Sequence, residues 1–269
     1  MSIPADEGPE PNPVKVRLQQ GLPAVGHWLS LASPPVVEIM VAAGMDWLMI
    51  DTEHSPAEAE TVEDMIRAMK GTTVVPLVRV AGNDPVLIKK ALDRGALGVL
   101  VPLVSTPEQA AAAVAASRYP PEGIRGVAGT RASRYGADLP RYFAGWNERV
   151  LVAIQIETRA ALENVEAIAA TPGVDVLFVG PNDLSAGLGC FRQFDHPAFV
   201  QAVARVLRAA RAAGRAAGYM TSGAPEALER IDQGFRFVAL GSDARLLAGA
   251  ATAAYEELRR RLGERAGGA

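Results

Sequence analysis

Cysteine is almost missing from this 269-residue chain. Cys190 stands alone, which excludes an intramolecular disulfide, a thiolate zinc cluster and a Cys-x-x-Cys redox pair, and fits a reducing, cytoplasmic compartment. Lysine is scarce too: Lys15, Lys70, Lys89 and Lys90 are the whole set, and none closes an apolar run, so no amine is placed for Schiff-base chemistry. The longest apolar stretches, such as Val99–Val104 and Val176–Val179, fall far short of the ~20 residues of a membrane span. Basic charge is not in excess: 27 Lys and Arg against 30 Asp and Glu leave a net charge of −3, with no basic block to follow a phosphate backbone. Neither a membrane nor a nucleic acid is expected as partner. The opening MSIPADEGPEPNP carries Asp6, Glu7 and Glu10 where a signal peptide is cationic and then apolar, so residues 1–13 read as a disordered leader.

What is present is a repeat of two periods. Eight short runs rich in Val, Leu and Ile occur at Val25–Leu29, Trp47–Asp51, Val74–Val80, Gly98–Val101, Leu151–Ile156, Val176–Val179, Ala216–Met220 and Phe235–Ala239. Most are continuously apolar, as expected of parallel strands buried on both faces. Segments of helical period lie between them, opened by Ser33-Pro34, Asn83-Asp84-Pro85 and Thr106-Pro107 and closed by Gly44 and Gly95. Eight strand–helix rounds with no long linker predict one (β/α)8 TIM barrel over residues 14–269, since a doubly wound open sheet usually has fewer strands. The exception is Tyr119–Arg149, too long for a plain loop, whose prolines and glycines predict an irregular excursion acting as a lid or a subunit contact.

In such a barrel, chemistry gathers at the C-terminal strand ends, and polar residues follow the apolar runs there. The second run closes in Asp51-Thr52-Glu53-His54, the third in Arg79, the fifth in Gln155-Ile156-Glu157 and the sixth in Gly180-Pro181-Asn182-Asp183. Glu157 and Asp183 come from consecutive strand ends, and an all-oxygen pair suits a hard divalent ion. The bland alternative is that both cap the following helices. His54, three residues after Asp51, is placed for that carboxylate to fix its tautomer and poise it as a general base; a solvent-exposed loop histidine is the alternative. Arg79 suits a carboxylate or a developing enolate oxygen, against a plain salt bridge to Asp51 or Glu53. Trp28 of the first strand is placed to line the mouth, His27 beside it to face the mouth or the core, and His196 reads as a surface helix start. Gly187-Leu188-Gly189 and Gly123–Gly129 match neither a P-loop nor a dinucleotide fingerprint.

Four separated segments then occur in order: GHWLSLASPPVVEIMVAAGMDWLMIDTEHSP, PLVRVAGNDPVLIKKALDRGALGVLVPLV, RYPPEGIRGVAG and QIETRAALENVEAIAATPGVDVLFVGPNDLSAGLG. From about Pro23 to Asp243 they resemble the HpcH/HpaI aldolase family, class II pyruvate aldolases of the phosphoenolpyruvate/pyruvate-superfamily barrel type that act on 4-hydroxy-2-oxoheptanedioate or 2-keto-3-deoxy sugar acids. The resemblance implies that Glu157 and Asp183 bind Mg²⁺ or Mn²⁺, with Co²⁺ a further candidate, and that pyruvate chelates the ion. It implies His54, paired with Asp51, as acid/base and Arg79 as stabiliser of the enolate. Gln155 would border the metal, Gly180 with the backbone at Asn182 and Asp183 would receive the pyruvate carboxylate, and Asp93 would serve the histidine relay near a subunit contact. It further implies a homo-hexamer in which residues 242–262 are exchanged between subunits. Asn182 and Phe191-Arg192 depart from the family pattern on the substrate side. The activity so implied is reversible cleavage of a 4-hydroxy-2-oxo acid to pyruvate and an aldehyde. The alternatives are oxaloacetate decarboxylation or another enolate condensation on the same site, and a non-catalytic metabolite-binding barrel.

Overall fold

A computed structural model describes residues 11–266. Eight parallel strands close into a barrel in sequence order: β1 (Ala24–Leu29), β2 (Trp47–Asp51), β3 (Val75–Arg79), β4 (Gly98–Val101), β5 (Leu151–Ile156), β6 (Val176–Val179), β7 (Ala216–Met220) and β8 (Phe237–Ser242). The helices are α1 (Pro13–Gln19), α2 (Pro34–Ala42), α3 (Ala59–Ala68), α4 (Pro85–Asp93), α5 (Pro107–Ser117), α6 (Leu139–Arg149), α7 (Arg159–Glu163), α8 (Val165–Ala170), α9 (Pro181–Gly187), α10 (Pro197–Ala212), α11 (Ala224–Gln233) and α12 (Asp243–Ala266). This is the (β/α)8 barrel expected. Prolines open most of the helices, and Asp84 and Thr106 cap α4 and α5 by accepting first-turn N–H groups.

Side chains alternate between two cores. Trp47, Met49, Val75, Leu77, Leu151, Ala153, Val176 and Phe178 fill the barrel interior, while Leu48, Ile50, Val78, Val152, Ile154, Leu177 and Val179 pack outward against the helices. Trp47 stacks on Phe237 with centroids 4.2 Å apart, and Gly26 opposite leaves the room its ring occupies. Continuing the interior phase to the strand ends brings Asp51, Arg79, Gln155 and Glu157 to the mouth.

Some boundaries differ from expectation. The eighth strand begins at Phe237 rather than Phe235, because Gly234 turns left-handed (φ 115°) and the Phe235 N–H still closes α11 on the Arg230 carbonyl. The chain then stays paired to Ser242, opposite Trp28. Asn12 and Pro13, read from the sequence as leader, belong to the fold: Asn12 is buried, caps α1 by accepting from the N–H groups of Val14 and Lys15, and donates to the Leu97 carbonyl at 3.0 Å. Residues 1–10 lie outside the described residues. α1 closes the bottom of the barrel, with Val14 in the interior core and Lys15 bound to the Val150 carbonyl (2.8 Å) and Asp175 (3.2 Å).

The excursion 118–150 joins the end of α5 to the start of β5, both at the bottom, so it cannot be a lid on the mouth of its own barrel. Its anchor is Arg125, whose fully buried side chain lies 4.6 Å from the Tyr119 ring and 4.4 Å from that of Trp146 and pairs with Asp93 at 2.7 Å. The final helix behaves differently again. Asp243, buried, accepts hydrogen bonds from the N–H groups of Ser30, Leu31 and Ala244 and from the Ser30 hydroxyl, fixing the start of α12 to the end of β1. Beyond it the helix leaves the barrel, and Leu246, Leu247, Tyr255, Leu258 and Leu262 are 52–63% exposed. Among the described residues no helix is long and apolar enough to cross a membrane.

Candidate active site

Asp51 and Arg79 are register partners on β2 and β3, with both side chains buried at the mouth. The guanidinium donates through Nε to Asp51 Oδ1 (2.9 Å) and through Nη2 to Oδ2 (2.5 Å), a bidentate pair. Burial pushes the Asp51 carboxyl up, but the hydrogen bonds and charge of Arg79 hold it below the usual carboxylate range. Trp28 forms the floor beneath: its ring lies 5.1 Å from Arg79 Cζ and 5.5 Å from Phe178.

The expected pairing of Asp51 with the His54 ring is not what the fold makes. Asp51 Oδ1 accepts the backbone N–H groups of Glu53 (3.0 Å) and His54 (3.3 Å), so it shapes the turn, while its charge is met by Arg79. The His54 ring is 69% exposed, and its nearest carboxylate is Glu53, 4.0 Å from Nε2. Register decides this: Arg79 sits across one strand spacing, whereas the turn carries the imidazole outward. Glu53 enters the sequence reading only as a salt-bridge partner for Arg79, not as a member of the site. Its Oε2 lies 2.9 Å from Arg79 Nη1, an ion pair out of line for a hydrogen bond, and makes no hydrogen bond of its own. Burial raises its carboxyl, with Arg79 and His54 opposing and Asp51 and Asp183 adding to the rise. Its one sequence signal is its place beside His54 at a strand end.

Glu157 is the counterpart across the mouth. It is buried; Oε1 accepts the Leu103 N–H at 2.7 Å and Oε2 accepts the Gln155 side-chain amide. Burial raises its carboxyl, the two hydrogen bonds oppose, and the charges of Glu53 and Asp183 raise it further. Asp183, in the first turn of α9, is exposed and near enough to act on both glutamates. Gly180 makes the approach possible: a Cβ there would lie 3.1 Å from Gln155 Nε2 and 3.2 Å from Glu157 Oε2. Neither Glu157 nor Asp183 has a cationic partner among the described residues, and Gln155 Oε1 is buried without a hydrogen bond. Four acidic groups, Asp51, Glu53, Glu157 and Asp183, thus share one basin with Arg79, which is already engaged by the first two.

Other candidates fall elsewhere. Asp93 ends α4 just before β4, at the bottom, where Arg125 holds it; the relay to His54 is not formed within one chain. His27 faces outward from the barrel wall, buried, with Nδ1 3.2 Å from the Trp28 carbonyl and Nε2 unpartnered. His196 is the exposed N-cap of α10, and Cys190 is buried in packing.

The family model described as HpcH/HpaI aldolase/citrate lyase matches residues 24–250. The chain belongs to this HpcH/HpaI family. Among its relatives, the 5-keto-4-deoxy-D-glucarate aldolase of Salmonella arizonae is 42% identical over 233 residues, 87% of this chain and 91% of that one. A family protein from Burkholderia cenocepacia J2315 superposes with a TM-score of 0.89 at 40% identity, covering 92% of this chain and 99% of that structure. The citrate synthase SbnG superposes with a TM-score of 0.83 at 28% identity, covering 92% and 97%. This HpcH/HpaI chain is a carbon–carbon lyase of the aldolase type. A non-catalytic barrel gives way to that.

Proposed function

We propose that the protein cleaves a 4-hydroxy-2-oxo acid reversibly to pyruvate and an aldehyde, with a divalent cation held by Glu157 and Asp183. The observation that carries this reading is the basin itself: a buried Glu157 and a neighbouring Asp183 with no cation of their own, facing Arg79 and His54 across one barrel mouth. The donor set fits the ion. It is all oxygen, Gln155 Oε1 lies unpartnered beside it, and a buried carboxylate without a cationic partner, as Glu157 is, is stabilised by a metal ion. Among the described residues no three His, Cys, Asp or Glu side chains are placed to hold one metal ion, so the protein would supply two carboxylates and leave positions for substrate oxygens. When bound, Mg²⁺, Mn²⁺ or Co²⁺ would act as a Lewis acid on the 2-oxo acid.

The chain's own residues do the rest. His54, open to solvent, takes the proton of the 4-hydroxyl through a water; the C3–C4 bond breaks, its electrons enter the pyruvate enolate, an aldehyde leaves, and the proton held by His54 returns through water to C3 to give pyruvate. Two of the five N–H groups of Arg79 bind Asp51; the rest, those of Nη1 beside Glu53 among them, are left to face the developing oxyanion. The first-turn amides of Asn182 and Asp183, which have no intrahelical acceptor, receive the substrate carboxylate beside Gly180, over the Trp28 floor.

The named substrate of the Salmonella relative is such an acid when counted from the carboxyl beside its ketone, and its retro-aldol yields pyruvate and a hydroxylated three-carbon aldehyde acid. That class is our first choice. The test is pyruvate release from a panel of 4-hydroxy-2-oxo acids with Mg²⁺, Mn²⁺ or Co²⁺ and after chelation; metal-independent release would overturn the two-carboxylate reading. A second reading, oxaloacetate decarboxylation or condensation of the enolate it yields, draws on the likeness to a citrate synthase and is separated by oxaloacetate turnover in the same assay. We place the enzyme in the cytoplasm as a homo-hexamer, with 242–262 exchanged so that the apolar residues of α12 are covered by a neighbouring subunit and Asp93 lies near a subunit contact.

A further inference from the structure

Leu103 stands two residues beyond β4 with φ 57°, in the left-handed region that a branched, non-glycine side chain occupies at a cost. Its side chain is 60% exposed, so burial gives no reason for the conformation. The chain on either side is fixed. Val101, Pro102 and Val104 are buried, and Ser105 is tied by its N–H to Gln109 (2.7 Å), by its hydroxyl to Thr158 (2.8 Å) and by its carbonyl to the Asn164 amide (2.9 Å). Between those anchors the left-handed residue turns one group inward, its own main-chain N–H, which meets Glu157 Oε1 at 2.7 Å. The other carboxylate oxygen is held from Gln155, on the strand that leads into Glu157. Backbone strain kept where packing does not require it points to the group that the strain positions.

We infer that Leu103 is a positioning residue: its main-chain N–H, aimed by the left-handed backbone, fixes the orientation of Glu157 and thereby sets the affinity of the Glu157–Asp183 site for its divalent cation. The inference rests on the metal reading above and adds that one of the groups orienting the ligand is an amide that side-chain inspection overlooks. It makes an unusual demand on substitutions. What matters at position 103 is tolerance of positive φ, not resemblance to leucine. Asparagine enters the left-handed region readily, whereas valine, apolar like leucine but branched at Cβ, resists it.

The experiment measures Mn²⁺ binding to the full-length protein from the electron paramagnetic resonance signal of free Mn²⁺, which needs no turnover. Three variants are compared: Leu103→Asn, Leu103→Val, and a backbone ester at residue 103 that keeps the leucine side chain but deletes the N–H. The ester is expected to weaken Mn²⁺ binding by about 10–100-fold, as loss of an outer partner of a metal ligand does. Leu103→Val should fall toward the ester and Leu103→Asn should bind like wild type, with circular dichroism confirming the fold of each. Equal affinities for the Asn and Val variants, or an ester that binds like wild type, would overturn the inference and leave the metal site standing. Wild-type protein that binds no Mn²⁺ would remove the metal reading and this inference together.

Discussion

Replacing Asp51 by Asn removes one charge from the buried pair while keeping the size of the side chain. The carboxylate accepts two N–H groups from Arg79 and two from the backbone of the following turn, so four contacts lose their charged acceptor. Breaking a buried ion pair costs about 3–5 kcal/mol, and we predict about 3 here because Glu53 still lies 2.9 Å from Nη1. The loosened turn carries His54, and the guanidinium loses its fixed direction; a loss of about 100-fold in kcat/KM corresponds to about 2.7 kcal/mol. Urea unfolding supplies the first number and pyruvate release the second. The sign with pH follows from the direction of the shift. Because Arg79 depresses the folded-state pKa of Asp51, the stabilisation is present above the ordinary carboxylate range and is lost as pH falls through the depressed value. Wild type and variant should therefore converge in acid. A double-mutant cycle with Arg79→Gln gives the decisive quantity: a coupling under about 0.5 kcal/mol, the range of independent sites, would refute the idea that the two act as one unit.

Three further outcomes are expected. His54→Ala should lose about 10²–10⁴-fold in turnover with its melting temperature unchanged, since the ring is largely exposed; full retro-aldol activity in this variant would sink its role as proton acceptor. His27 is held neutral by burial, with the Trp28 carbonyl and Asp243 opposing, so its folded pKa is lowered. Stability is then full above about pH 6.5 and declines as pH falls below it, because the unfolded chain takes up the proton first; His27→Gln should flatten that slope in urea titrations between about pH 5 and 8. Leu258→Asp combined with Leu262→Asp, on the exposed face of α12, should give a smaller species than wild type in light scattering if the proposed hexamer forms through this helix, and an unchanged mass would show that these residues cover no interface.

The periodic parts of the molecule are legible in the sequence itself. Trp47–Asp51, Gly98–Val101, Leu151–Ile156, Val176–Val179 and Ala216–Met220 carry their strand ends in their own composition, so the polar residues that follow them fall at the mouth as expected. What sequence does not supply is lateral. Asp51 is near His54 along the chain and near Arg79 only across the sheet, and the sheet prevails. Phe235 looks like strand and is claimed by the cap of α11. Glu53 sits in a polar tetrapeptide that gives no hint of burial, and Leu103 acts through a group every residue but proline possesses. The position of the excursion, by contrast, is implicit in its flanks: a segment between a helix end and a strand start lies at the bottom whatever its composition.

The alternation of strand residues between the inside of the barrel and its outer wall has a consequence for how such a protein can diverge. Residues that face the barrel mouth occupy one phase of each strand end, as Asp51, Arg79, Gln155 and Glu157 do, while the neighbours that seat the helices, Ile50, Val78, Ile154 and Ile156, occupy the other. Substitution in one phase leaves the contacts of the other in place, whereas inserting or deleting a single residue within a strand exchanges the two sets. The chemistry of the mouth is therefore open to drift by point mutation on a scaffold that stays the same, and closed to drift by changes in strand length.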